Sequence, residues 1–172
     1  MLGLYLLTLR GVVPLLEVVT MAFARTEEAS WTAIRNSELD FPFRKIICNL
    51  APGDIKKEGP ALDLPIAAAI LAASGQIALE SCEKTVFLGE LSLDGTLRPV
   101  DGALSAALMC SEQAVKRLIL PIQNAPEAAV IPDLEVYGVE CLKDVVDLFQ
   151  NKTPAKPYAL VDIEEESTLY RP

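Results

Sequence analysis

Histidine is absent from the 172 residues, which removes the Ser-His-Asp triad, the Cys-His pair and every histidine-bearing zinc site. Cysteine is sparse. Cys48, Cys82, Cys110 and Cys141 are separated by 34, 28 and 31 residues, with neither a CxxC pair nor the density of a secreted disulfide scaffold, so a reduced, cytoplasmic interior is expected. No GxxxxGK[ST] loop is present and no GxGxxG follows a strand-like run, so the chain carries no recognisable nucleotide site of its own. An uninterrupted apolar run of membrane length is also missing. The amino terminus MLGLYLLTLRGVVPLLEVVTMAF is broken by Arg10, Pro14 and Glu17, whereas a membrane helix needs about 18 or more unbroken apolar residues and a secretory signal places its positive charge first. Positive charge is the minority sign. Fifteen Lys and Arg face 24 Asp and Glu, a net of −9, which argues against nucleic acid or an anionic membrane held by global electrostatics.

What is present suffices for a core. Hydrophobic residues form 51% of the chain and charged ones 23%, an ordinary globular balance too apolar for overall disorder. The length predicts one domain.

The aliphatic amino terminus reads as two strands, Leu2 to Leu9 and Pro14 to Phe23, with Gly11 between them. Thr26 is placed to cap a helix from Glu27 to about Asn36, on which Trp31 and Ile34 share a face. Arg44 to Leu50 reads as a buried strand. Asp63 then stands as an acidic cap before the run Leu64 to Ala73, which contains Pro65 in its first turn and ends at Gly75. A helix without a polar face must be wrapped, so this one is placed at the centre of the fold. Asp94-Gly95 between two strand-like runs predicts a two-residue type I′ hairpin. Further on, the pattern predicts a helix from Ala103 to about Ala114 and a strand from Arg117 to Leu120. A helical turn at Glu127 to Val130, a strand at Leu134 to Val139 and a helix at Leu142 to Phe149 follow. Strands alternating with helices around a hairpin indicate an α/β (α+β) domain with a mixed sheet and packed helices. From Asn151 the tail holds Pro154, Pro157 and Pro172 with four carboxylates and no apolar periodicity, the pattern of a linker.

Glu90, Asp94 and Asp101 cluster around the hairpin, but acids that flank a turn and cap a helix are ordinarily structural. The segment Lys56-Lys57-Glu58-Gly59-Pro60-Ala61 leading into the apolar helix is more specific, because a helix amino terminus offers free amides. Together KKEGPALDLPIAAAILAASG (56–75), FLGELSLDGTLRPVDGALSAAL (87–108) and KRLILP (116–121) resemble the proteolytic domain of the Lon proteases over roughly residues 44 to 121. The resemblance implies a serine nucleophile directly after the loop proline, which falls on Ala61, and a helix-borne lysine, which falls on Leu104. Neither side chain can attack a carbonyl or accept a proton. Ser105 and Lys116 are the nearest residues of the right type, and Lys116 aligns with the next strand.

A closer resemblance covers about residues 36 to 149. The phrases DFPFRKIICNLAPGDIKKEGPALDLPIAAAILAASGQI, FLGELSLDGTLRPVDGALSAAL and LEVYGVECLKDVV are similar to the amino-terminal domain of magnesium-chelatase-like competence proteins of the ComM/YifB type. It implies a Lon-protease-like, ribosomal protein S5 domain 2-like fold without protease residues, ahead of a AAA+ ATPase module that acts in DNA recombination. Residues 1–35 diverge from that pattern. The expected organisation is a Lon-like domain over 1–150 and an acidic linker over 151–172 toward a AAA+ module lying outside the chain. The expected role is non-catalytic, as an assembly or partner-binding module that acts as a homo-oligomer or with the AAA+ module, with no cofactor, no metal and no membrane contact. DNA would be reached through the full-length protein. The alternatives are a DNA-binding module and a Ser-Lys peptidase. The nucleic-acid alternative rests on Arg44, Lys45, Lys56 and Lys57, four cations against Asp54 and Glu58 within residues 41–60.

Overall fold

In the computed structural model the described residues are 7–9, 16–18, 27–40, 49–50, 60–152 and 156–159. Strands Leu7–Leu9 (β1) and Leu16–Val18 (β2) pair antiparallel with Leu7 opposite Val18, and Asn49–Leu50 (β3) joins the other side of β2. These match the strands expected there, while Gly11, Thr26 and Arg44 to Cys48 lie outside the described residues. Helix Glu27–Asn36 (α1) has the expected span, and Ile34 is fully buried.

Helix Asp63–Ala73 (α2) is buried along nearly its whole length, from Asp63 to Ala72. Its surroundings are the reason an all-apolar helix is stable here. It packs beside α1, and its residues share one core with Phe87, Ile119 and Leu142. The expected cap is not formed. Asp63 is the first helical residue, Leu62 occupies the cap position without a side-chain hydrogen bond, and the Asp63 carboxylate instead accepts the Leu91 N–H at 3.2 Å. A partner strand won the carboxylate because the chain entering α2 runs beside residues 88–91, with Gly89 N donating to Ala61 O and Leu64 N donating to Gly89 O, each at 3.0 Å.

A three-stranded parallel sheet follows, with Arg117–Pro121 (β7) between Thr85–Phe87 (β4) and Glu135–Val139 (β8). Cross-strand register places Phe87, Ile119 and Tyr137 in one row and Val86, Leu118 and Val136 in the next. Alternate rows enter different cores. Phe87, Ile119 and Val139 pack with α2, whereas Val86, Leu118, Leu120 and Val136 pack with the buried faces of Ala103–Glu112 (α3) and Ala125–Ala128 (α4). Both faces of the sheet are therefore covered, which parallel strands require. The last helix, Leu142–Phe149 (α5), buries Leu142, Val145, Val146 and Phe149 in the α2 core. Arg117 ties it down, donating from Nη2 to Ser81 O and lying 5.6 Å from the centre of the Phe149 ring.

Strands Glu90–Leu91 (β5) and Leu97–Arg98 (β6) form the expected hairpin, but its turn is not a two-residue type I′. Ser92 N donates to Thr96 O, Gly95 N donates to Ser92 O, and Gly95 has φ +88° while Leu93 and Asp94 are not among the positive-φ residues. This is a three-residue loop built on a type I turn with a left-handed glycine. Docking explains the choice. Asn36 Nδ2 donates to Leu93 O at 2.6 Å, Leu142 N donates to Gly95 O at 2.9 Å, and a Cβ on Gly95 would stand 2.1 Å from Ser37 Oγ. Helix α4 begins two residues earlier than expected and α3 ends at Glu112.

Beyond α5, the described residues 156–159 lie at the β8 edge of the parallel sheet. Tyr158 N donates to Val136 O at 2.7 Å, and its half-buried side chain packs on the α3–α4 core. No helix among the described residues is long and apolar enough to cross a membrane.

Candidate functional site

Ligand and reaction sites in α/β folds gather at the carboxyl ends of parallel strands. Ala61 and Leu104 are each tied to that edge, from opposite sides of the sheet. Ala61 sits in a 3-10 turn, Pro60–Leu62, and its carbonyl is held by Gly89, two residues beyond the end of β4. Leu104 is in the first turn of α3, and its N–H donates to Glu127 Oε1 at 3.1 Å. The loop before it is fixed by the buried Asn124, three residues beyond β7, which accepts from Val100 N at 3.0 Å and donates to Val100 O at 2.8 Å. Sequence reasoning did not single out Asn124 or Glu127. The only signal was a polar residue and an acid following an apolar strand.

Chemically the edge is inert at both positions. Ala61 is half-buried, and Leu104 projects an isobutyl group that is 38% exposed, one helical turn before Leu108 at 48%. At the entry to α2 the Ala61 carbonyl and the Leu64 amide are both engaged by Gly89, so backbone pairing rather than a ligand satisfies them. Asp63 is the buried ionisable group closest in sequence to Ala61. Burial pushes its carboxyl above the usual carboxylate value, the Leu91 hydrogen bond opposes that rise, and Glu90 adds to it.

The described cysteines are poor nucleophiles. Burial pushes Cys82 and Cys110 up to about 11, partly offset at Cys82 by Arg117, and burial raises Cys141 as well. All three are free and stay protonated near neutrality. Glu90, Asp94 and Asp101 are spent on local structure or solvent. Glu90 lies 3.7 Å from Arg98, Asp94 Oδ1 accepts from Thr96 N and Oγ1, and Asp101 is exposed ahead of α3. Among the described residues no three metal-donor side chains come together. Ser105 is exposed on α3, and Lys116 immediately precedes β7, at the end of the strand opposite the Ala61 edge. Arg44, Lys45, Lys56 and Lys57 lie outside the described residues.

The sequence matches a known family and several known proteins. The family model for subunit ChlI of Mg-chelatase matches residues 10–124. The competence protein ComM of Haemophilus influenzae is 38% identical over 139 residues, which cover 81% of this chain and 27% of that protein. The uncharacterized protein YifB of Salmonella typhimurium is 40% identical over 121 residues, 70% of this chain and 24% of its own length. More distantly, Lon protease 2 of Bacillus subtilis is 28% identical over 119 residues, 67% of this chain and 21% of the protease. The chain thus spans about a quarter of the length of the curated relatives it matches. With a mixed α/β fold, a Lon-related sequence and a family match across most of its length, the chain belongs to the Mg-chelatase subunit ChlI family, among the proteins of the ComM/YifB type.

Proposed function

We propose that this chain is a non-catalytic Lon-like module that serves as an assembly or partner-binding surface beside a AAA+ motor of its family, in cytoplasmic DNA recombination or competence. The observation that carries the reading is the pair Ala61 and Leu104. At the sheet edge where the Lon resemblance puts a nucleophile and a base stand a methyl and an isobutyl group. Removing both groups of a dyad removes covalent catalysis altogether, and an exposed leucine pair at 104 and 108 suits packing better than proton transfer. The test is incubation of the purified chain with unfolded protein and with fluorogenic peptides. No hydrolysis above buffer is expected, and turnover abolished by replacing a single Ser or Lys would overturn the reading.

Duplex DNA added to the same preparation examines the cationic alternative. No binding by the chain alone is expected. Micromolar affinity that falls steeply with salt and is lost in Lys56→Ala with Lys57→Ala would favour a DNA-binding module instead.

A further inference from the structure

Strand β8 is one of the two outer strands of the parallel sheet. Its Glu135 N–H is turned inward, donating to Lys116 O at 3.0 Å, so by the two-residue alternation of a strand Val136 turns its carbonyl outward. That outward carbonyl receives the Tyr158 N–H, and the Tyr158 side chain reaches back over the edge onto the core that holds Val136, Leu118 and α3. An exposed edge strand is a template for foreign strands, and native proteins cover such edges. A backbone bond plus an aromatic side chain is also the way an extended peptide is held when it adds to a sheet.

We infer that Lys156–Ala159 is an anchor, an extended segment docked in cis on the outer edge of β8, which makes residues up to 159 part of the folded body. The described chain then ends against the β8 edge and not at the end of α5. Half-burial of an aromatic ring supplies the hold, since a single edge hydrogen bond only replaces one made to water and contributes little net. The phenol oxygen is not what seats the ring in this account, so the aromatic body is the part that matters.

Amide exchange of Tyr158 in the full chain, followed by NMR, tests the anchor. The Tyr158 N–H is expected to exchange about tenfold or more slowly than in the isolated peptide 152–160, with ring-to-methyl contacts to the buried cluster. Tyr158→Phe should keep that protection and Tyr158→Ala should abolish it while the amides of β7 stay protected. Peptide-like exchange in the unmodified chain, or full protection in Tyr158→Ala, would overturn the inference.

Discussion

Asp63 shows how a residue chosen for one purpose on sequence grounds serves another in the fold. An acid ahead of an apolar run should cap the helix, yet here the carboxylate reaches the Leu91 amide while the Asp63 carbonyl receives the Ser30 hydroxyl at 3.0 Å. One side chain thereby joins the start of α2 to the hairpin, and its backbone joins it to α1. Burial raises its pKa above 3.8, so the fold favours the protonated form, and the ionised form near neutrality costs stability that vanishes as pH falls. Asp63→Asn keeps an oxygen for the Leu91 amide and removes the charge. It should be at least as stable as the parent at pH 7, and its advantage should fade as pH drops from the raised folded value to 3.8. Asp63→Ala should instead lose about 1–3 kcal/mol by leaving the amide unpaired. Thermal melts across pH separate the two, and an Asp63→Asn advantage that grows on acidification would contradict the assignment.

At the scale of elements, the pieces with strong apolar periodicity were legible and the contacts between them were not. Helices α1 and α5 occur with the expected limits, and α2 differs only by including Asp63. Each is specified by its own apolar pattern, and α2 also by Pro65 in its first turn and the stop at Gly75. The hairpin turn was misjudged because Asp94-Gly95 favours type I′ in isolation, whereas Ser37, Asn36 and Leu142 fix a different loop from outside. That information is distributed over more than a hundred residues of sequence and cannot be read locally. For α2 the local and global levels agree. Ile66 and Ile70 are 2% and 4% exposed, so replacing either with Ala should cost about 2–5 kcal/mol through lost transfer energy and a residual cavity. Denaturant unfolding measures this, and a loss below about 0.5 kcal/mol would place the helix outside the core.

For the molecule as a whole, the proposed site rests on resemblance alone, since nothing intrinsic to Ala61 or Leu104 marks them as counterparts of a dyad. What the fold adds is that both are tied to one edge of the sheet, by Gly89 on one side and by Asn124 and Glu127 on the other. The parallel sheet also divides the interior. Rows of side chains from the same three strands point alternately into the α2 core and the α3–α4 core, two apolar bodies separated by a wall of backbone. A change of side-chain volume on one side meets partners only on that side, and substitutions that share no neighbours add in free energy. Each half can therefore absorb sequence drift on its own account. Packing in the α3–α4 half can therefore change without disturbing the contacts of the α2 half.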